Sequence, residues 1–399
     1  MNYNKTSFHH PLMSDNFKKS DFLQVSNLLK KTDILTQSKK VSEFESKWSN
    51  WLGVKHSVFV NSGSSANYLS MRLLKIVYGN NYEIIVPSLT WISDIVSVID
   101  HGFKPVFVDI DLKNLSASTD EILKKINKKT LAVFLTHAQG FNSLTQKLLN
   151  VLKTKNILLI EDVCESHGAL YKKKKLGSFG SISNFSFYYA HHMSTIEGGM
   201  ICTNNSTHYQ ILRALRSHGM VREMNDENLK NNIINENRHL SPQFIFKYPG
   251  LNFRNNEISA VIGINQLKRL DKNIEKRRNN FKFFLKLLNK DIFFTNYDLK
   301  GNSNYAFPLI LLKKSILLRN KLEKIMSDNN IEYRKGNAGG GNQLLQPYLS
   351  NFKKTQYNKK KFQNVDHVHN FGYYIGNYPE LKKTKIIMLA KILNSIVEL

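Results

Sequence analysis

The order of hydrophobic and polar positions predicts a largely parallel β-sheet covered by helices. Through the first two thirds of the chain, short runs of apolar and β-branched residues alternate with segments whose apolar residues recur at helical spacing. The predicted strands are Ser57–Val60, Glu83–Val86, Pro105–Val108, Leu131–Leu135, Ile157–Ile160, Asn184–Tyr188 and Met200–Thr203. The predicted helices are Ser42–Leu52, Ala66–Val77, Thr119–Ile126, Leu144–Lys153 and Tyr209–Ser217.

The pattern changes in the last third of the chain. A long basic helical segment from about Ile258 to Leu288 is interpreted as a connector between domains. Beyond it, a strand at Ala306–Leu312 and helices at Ile316–Asp328 and Thr384–Val397 predict a smaller α/β domain. We therefore expect a large domain with an N-terminal arm over residues 1–265, and a connector helix with a small C-terminal domain over residues 266–399.

Charge and composition narrow the class of protein. The 399 residues are 41% hydrophobic, which excludes intrinsic disorder, and 57 Lys+Arg against 31 Asp+Glu give a net charge of +26. The lysines are scattered among Asn and Ile, and no basic arm or zinc finger is visible, so no nucleic-acid partner is expected. An anionic substrate remains compatible with the charge.

Cysteine usage and apolar runs bear on location. Cys164 and Cys202 are the two cysteines of the sequence and form no CxxC motif, which disfavours a disulfide-built secreted protein and a zinc ribbon. No segment reaches the roughly 18 consecutive apolar residues of a membrane span. The expectation is a cytoplasmic protein with no metal site and no membrane partner.

The motif VFVNSGSSANYLSMRLL is the first candidate binding site. An apolar strand ends there and a helix begins, so hydroxyls and free backbone N–H groups converge at the helix N-terminus around Gly63, Ser64 and Ser65. This arrangement suits a phosphate group. The motif alone equally fits an ordinary serine-capped helix.

The motif NILLIEDVCESHGA is the second candidate. A predicted strand delivers Asp162 to its carboxyl end, the edge at which open α/β sheets bind their ligands. A buried carboxylate there can pair with a cationic ring nitrogen. A solvated or helix-capping aspartate is the alternative interpretation.

A third segment, SISNFSFYYAHHMSTIEGGMICT, completes a series of motifs spread over nearly the whole chain. Together with PLMSDN, ILTQSKKVSEFE, NSGSSAN, VPSLTW, THAQGFN, IEDVCESHGA and YPGLNFRNNEISAVIGINQL, it resembles the DegT/DnrJ/EryC1/StrS family of sugar aminotransferases. The resemblance implies an aspartate aminotransferase-like α/β fold (fold type I), with a mainly parallel seven-stranded sheet in the large domain. It also implies use of pyridoxal 5'-phosphate (PLP) and a homodimer with shared active sites.

One position departs from the family pattern. Family aminotransferases carry a lysine where this chain has His191, and that lysine binds PLP covalently through its amine. An imidazole cannot form this bond but can transfer protons near neutral pH. The chain then resembles the dehydratase branch of the family, in which histidine replaces lysine and pyridoxamine 5'-phosphate (PMP) is the working form of the cofactor.

This branch implies a nucleotide-sugar 3-dehydratase of deoxysugar and O-antigen biosynthesis. Its substrate would be a nucleotide-linked 4-keto-6-deoxyhexose such as GDP-4-keto-6-deoxymannose, and L-glutamate would regenerate PMP. Some enzymes of this branch also hold a [2Fe–2S] cluster on four cysteines. Two cysteines are too few, so no iron–sulfur cluster is expected.

The resemblance also assigns roles to individual residues. His191 would be the catalytic base. The cofactor-binding residues would be Gly63, Ser64, Ser65 and Ser186 at the phosphate, Trp91 and Asp162 at the ring, Glu165 near the ring hydroxyl, and Asn252 reaching the neighbouring subunit's phosphate. The substrate-binding candidates are Arg254, Arg334 and Asn342.

Four alternatives remain open. Trp91 is also compatible with a place in the core. The Gly339–Gly341 run is interpreted as a flexible loop that covers the active site, and a plain surface loop is the alternative. The chain as a whole is compatible with an ordinary PLP-dependent nucleotide-sugar aminotransferase. It is also compatible with a non-catalytic sugar- or cofactor-binding relic of the fold.

Overall fold

The computed structural model describes residues 10–397 except residues 15 and 33. Its helices are α1 Lys19–Leu29, α2 Lys39–Leu52, α3 Gly63–Tyr78, α4 Ile92–Asp100, α5 Thr119–Lys125, α6 Gln146–Thr154, α7 Ser206–Arg216, α8 Glu227–Glu236, α9 Glu257–Leu287, α10 Ile316–Asp328, α11 Ser350–Gln356, α12 Gln363–Phe371 and α13 Lys383–Asn394. Its strands are β1 His56–Val60, β2 Glu83–Pro87, β3 Lys104–Val108, β4 Ile110–Asp111, β5 Ser116–Ala117, β6 Thr130–Thr136, β7 Leu158–Asp162, β8 Leu170–Tyr171, β9 Lys174–Lys175, β10 Ile182–Ser186, β11 Gly199–Thr203, β12 Ala306–Ile310, β13 Tyr333–Lys335 and β14 Gly372–Gly376.

Seven strands form the central sheet, in the order β1-β11-β10-β7-β6-β2-β3. Six of them run parallel, and β11 is antiparallel to both of its neighbours. This confirms the predicted α/β fold with a mainly parallel seven-stranded sheet. Both faces of such a sheet are buried, which explains why its strands read as continuous apolar runs.

Two local differences from the predicted elements affect the site. Strand β10 was predicted to continue to Tyr188 but ends at Ser186, after which the chain turns. Helix α4, Ile92–Asp100, was not predicted; it begins directly after Trp91 and buries an apolar face. In both cases the element boundary lies at the carboxyl edge of the sheet.

A smaller sheet is formed by strands from the C-terminal part of the chain, between residues 306 and 376. It has three antiparallel strands in the order β12-β14-β13. Helix α9 runs unbroken from Glu257 to Leu287 and contacts α1, α2 and α13. The boundary at residue 265 falls within α9, so the division into domains stays a prediction.

Parallel strands bring their carboxyl ends to one edge of the sheet, and this positions the candidate site. Strand β1 leads there into α3, which begins where the Ser62 hydroxyl accepts a hydrogen bond from Ser65 N (3.0 Å). Strands β7 and β10 end at the same edge with Asp162 and Ser186. Among the residues described, no helix is long and apolar enough to cross a membrane.

Candidate active site

A cavity of about 590 Å³ opens at this carboxyl edge, between the large sheet and the three-stranded sheet. Eight of the residues that the sequence singled out line it: Gly63, Ser64, Trp91, Asp162, Glu165, Ser186, His191 and Arg334. They come from distant segments of the chain. The fold therefore brings two thirds of the predicted site residues to one place.

The first turn of α3 forms one wall of the cavity. A Cβ atom at Gly63 would lie 2.6 Å from Ser186 Cβ and 3.1 Å from Cys164 Sγ, so only glycine fits there. The N–H groups of the first helical turn have no acceptor within the helix, and the helix dipole adds partial positive charge. This wall is a cradle for an anionic group such as a phosphate.

Asp162 supplies a negative charge at the end of β7. Its side chain is 3% exposed. Oδ1 accepts a hydrogen bond from Cys164 N (2.8 Å), and Oδ2 accepts one from Asn67 Nδ2 (3.1 Å). These two donors orient the carboxylate in the cavity wall, where it can pair with a cation.

His191 lies in the turn that follows β10. Its Nδ1 is 3.2 Å from the carbonyl oxygen of Ser186. Because a carbonyl only accepts, Nδ1 carries the proton and Nε2 holds the free lone pair. Burial lowers the pKa of His191 to about 4, so the imidazole is neutral at neutral pH and can accept a proton at Nε2. The adjacent His192 is buried and bonded to the Ser303 carbonyl.

Glu165 forms a second proton-exchanging group in the cavity. Its carboxyl group accepts hydrogen bonds from Gln139 N (2.8 Å) and from the Tyr305 hydroxyl (3.3 Å). Burial raises the pKa of Glu165 to about 7, with a further contribution from the negative charge of Asp162. Near neutral pH this carboxyl group can therefore hold or release a proton.

This shift gives a prediction for stability. Between pH 4.5 and 7 Glu165 is protonated in the folded protein and ionised in the unfolded chain, so its contribution to the free energy of unfolding falls as pH rises. Glu165→Gln removes this titration. As pH rises from 4.5 to 7, the free energy of unfolding of the variant, measured with urea, should increase by about 3 kcal/mol relative to that of the unsubstituted protein. Above pH 7 this difference should stay constant. A pH-independent difference would contradict the raised pKa.

Trp91 stands at the cavity mouth, immediately before α4. It is 56% exposed, which contradicts the alternative that it belongs to the core. An exposed indole beside a cavity offers a face on which a planar ring can stack.

Four of the predicted site residues lie outside the cavity lining. The Ser65 hydroxyl is bonded within the turn that caps α3. Asn342 is fully buried, where its amide donates to Asp366 (2.8 Å). Asn252 is exposed, and its Oδ1 accepts from the backbone N–H (3.0 Å) and Nε (3.2 Å) of Arg254.

Several lining residues were missed by the sequence analysis. Asn67 lies one helical turn after Gly63 on the same face of α3, and this spacing could have revealed it. Tyr374 lies in β14 of the small sheet and Tyr305 directly precedes β12; both are more than 100 residues from His191 in the chain, and no local pattern points to them. Lys335 also lines the cavity, but its ammonium lies 2.7 Å from Glu323 Oε2.

Together, these features fit a phosphate-bearing pyridine cofactor. A glycine-dependent cradle faces the cavity, a buried carboxylate is held by two N–H donors, and an indole ring is exposed. These match the three parts of such a molecule: its phosphate, its basic ring nitrogen and its flat face.

Comparison with known proteins places this chain in a family and identifies similar enzymes. The sequence profile described as "DegT/DnrJ/EryC1/StrS aminotransferase family" matches residues 16–394. GDP-4-keto-6-deoxy-D-mannose 3-dehydratase of Yersinia pseudotuberculosis is 31% identical over 338 residues, covering 83% of this chain and 85% of the relative. GDP-perosamine synthase of Escherichia coli O157:H7 is 28% identical over 319 residues, covering 78% and 79%.

A solved structure extends the similarity to three dimensions. The crystal structure of a GDP-4-keto-6-deoxymannose-3-dehydratase with a trapped PLP-glutamate geminal diamine superposes with a TM-score of 0.85 at 27% identity. The alignment covers 96% of this chain and 100% of that one. This confirms the predicted aspartate aminotransferase-like fold.

Proposed function

Because the chain belongs to the DegT/DnrJ/EryC1/StrS aminotransferase family, we propose that it is a PMP-dependent nucleotide-sugar 3-dehydratase. The main observation that supports this proposal is the imidazole of His191 in the cavity wall, whose Nε2 is free to accept a proton. The substrate we propose is GDP-4-keto-6-deoxymannose or a related 4-keto-6-deoxyhexose, following the relative from Yersinia pseudotuberculosis.

Each residue has one task in this proposal. The cradle at Gly63, Ser64 and Ser186 binds the cofactor phosphate, while Trp91 and Asp162 orient and charge-balance the ring. When bound, PMP supplies an amine for the 4-keto group of the sugar and a ring that accepts electrons.

His191 moves the proton. The Nε2 atom of His191 would first act as a base and accept a proton next to the cofactor ring. The resulting imidazolium would then act as an acid and donate that proton to the C3 hydroxyl as it leaves the sugar. Glu165 and Tyr305 share a second exchangeable proton, and the Tyr305 ring lies 6.1 Å from the His191 ring, centroid to centroid. We also propose that L-glutamate restores PMP, in line with the glutamate adduct in the solved relative.

The test is a substrate panel. Purified protein loaded with PMP is incubated with glutamate and with GDP-, CDP-, dTDP- or UDP-linked 4-keto-6-deoxysugars, and ammonia and 2-oxoglutarate are measured. Release of both with loss of the C3 hydroxyl supports the dehydratase. A 4-amino sugar formed without ammonia indicates an aminotransferase, and no turnover with any sugar indicates a non-catalytic relic.

The aminotransferase is the second candidate, because GDP-perosamine synthases are related over most of the chain. His191→Lys separates the two chemistries. The lysine amine should form a covalent link to PLP that borohydride traps and mass spectrometry locates, whereas the unsubstituted protein should show none. Dehydration should fall at least about 100-fold, because a lysine held in that link competes with the PMP form, and a free lysine differs from imidazole in reach and pKa. A borohydride-stable link to another side chain of the unsubstituted protein would contradict the proposed role of His191.

We propose a homodimer in which Asn252 completes the neighbouring subunit's phosphate site. Three apolar residues shortly before Asn252 in the chain are each more than half exposed: Phe244, Phe246 and Leu251. Exposed apolar side chains of this kind are typical of a protein–protein interface. Asn252→Ala should weaken PMP binding by about 1.5–3 kcal/mol, the value of a hydrogen bond to a charged group, without changing the unfolding transition. Equilibrium dialysis measures the affinity, with Asn351→Ala as a surface control. Full activity of a dilute monomer would contradict the shared site.

A further inference from the structure

A second carboxyl group, that of Asp94, lies close to Asp162 and farther from solvent. Asp94 is in the first turn of α4 and is fully buried. The amide nitrogen of Asn67 bridges the two acids, 2.6 Å from Asp94 Oδ1 and 3.1 Å from Asp162 Oδ2. Two threonine hydroxyls, those of Thr90 and Thr136, contact Asp94 Oδ2. The catalytic scheme above makes no use of this group.

The surroundings of the pair admit only one negative charge. Among the described residues, no lysine, arginine or histidine forms an ion pair with Asp94 or Asp162. The other titratable groups near Asp94 are Cys164 and Tyr348, which are neutral in their usual form. Near Asp162 lie the neutral imidazole of His191 and the carboxyl group of Glu165, and neither supplies a positive charge. Two neighbouring buried carboxylates without a cation repel one another and lose their hydration, so one of them holds a proton.

Hydrogen bonding decides which acid holds the proton. The Asn67 amide donates to both acids, but Asp162 also accepts from the backbone N–H of Cys164 (2.8 Å), and an N–H donor stabilises a carboxylate. The other two contacts to Asp94 are hydroxyls, and a hydroxyl can accept a hydrogen bond from a protonated carboxyl group as well as donate one. The proton therefore fits on Asp94. Burial and the charge of Asp162 both raise the pKa of Asp94.

We propose that Asp94 is a positioning residue: a neutral carboxylic acid that, together with Asn67, fixes Asp162 as the carboxylate presented to the ring nitrogen of the cofactor. This rests on the proposed pairing of Asp162 with the ring nitrogen. A neutral Asp94 leaves one negative charge for one cationic ring nitrogen, and the pair is tolerated in the fold before any cofactor binds.

Infrared spectroscopy tests the protonation directly. The full chain, with ¹³C in its aspartate carboxyl groups, should show a protonated carboxylic acid band at neutral pH. The band should vanish in Asp94→Asn. It should persist in Asp162→Asn, because the full burial of Asp94 still disfavours its charged form after the charge of Asp162 is removed. Asp366→Asn is the matched control, because Asp366 is also buried and hydrogen-bonded to a hydroxyl and an amide. Absence of the band from the unsubstituted protein overturns the proposal, even if the variants fail to fold.

Cofactor binding tests the positioning. Asp94→Asn keeps a neutral side chain of the same shape, so PLP affinity and the ¹⁵N NMR shift of its ring nitrogen should stay close to those of the unsubstituted protein. Asp94→Ala should bind PLP roughly ten- to a hundredfold more weakly, since the support of Asp162 is lost. Equal loss in Asp94→Asn and Asp162→Asn would overturn the proposal.

These experiments involve no sugar and no glutamate, which keeps the two proposals apart. If the acid band behaves as expected but no sugar is dehydrated, the proposed function fails and the role of Asp94 stands. If a sugar is dehydrated but the band survives in Asp94→Asn, the reverse holds.

Discussion

Replacing His191 by asparagine should lower the rate of sugar dehydration by about 10²–10⁴-fold or more, the usual contribution of a general base. Asparagine resembles imidazole in size and can still donate to the Ser186 carbonyl, but it has no basic nitrogen at neutral pH. The measurement is ammonia release under single-turnover conditions with PMP already bound.

Cofactor affinity should be unchanged in the same variant. The cradle at Gly63, the indole of Trp91 and the carboxylate of Asp162 are separate from the imidazole. His56→Asn is the matched control, because His56 lies at the opposite end of β1 from the cavity. If His191→Asn dehydrates the sugar at the unsubstituted rate, His191 is not the base and the mechanism is wrong.

Replacing Asp162 by asparagine should weaken PLP and PMP binding about 10²–10⁴-fold. Asparagine can still accept from Cys164 N, so the local fold is kept while the charge opposite the ring nitrogen is lost. Removing one partner of a buried ion pair costs about 3–5 kcal/mol, which corresponds to this change in affinity.

Two readouts identify the cause of that loss. Equilibrium dialysis gives the dissociation constant, and the ¹⁵N NMR shift of the ring nitrogen reports whether it still carries a proton. Asp111→Asn, at an exposed aspartate outside the cavity lining, should change neither. An affinity for Asp162→Asn within threefold of the unsubstituted protein would exclude the proposed pairing.

The elements of the fold were largely readable from local pattern. The predicted helix Ile316–Asp328 has the bounds of α10, and all seven strands of the large sheet lie within two residues of their predicted ends. Such elements follow from apolar residues recurring at the period of a helix or from continuous apolar runs. Strand β7 was predicted to end at Ile160 but continues through two acids to Asp162, because buried hydrogen-bond partners satisfy their carboxylates.

The motifs likewise placed much of the candidate site. Glycine at position 63, the aspartate that ends β7 and the histidine after β10 were all identified from sequence, and the fold gathers them in one cavity. Asn252 and Asn342 are instead outside the lining, one on the surface and one in the core. Exposure and burial of loop residues depend on what packs against them, which a local pattern does not record.

By itself, then, the sequence determined most strands of the large sheet and the helices between them, and its motifs indicated the family. It also led us to expect that His191 stands where family aminotransferases carry a lysine. Only the tertiary structure decided which side chains meet. Asn67, Asp94 and Asp162 belong to three different elements, and Tyr305 reaches Glu165 across 140 residues of chain. The state of a buried acid depends on the solvent it loses and the partners it gains. Both are fixed by packing between elements that are distant in sequence.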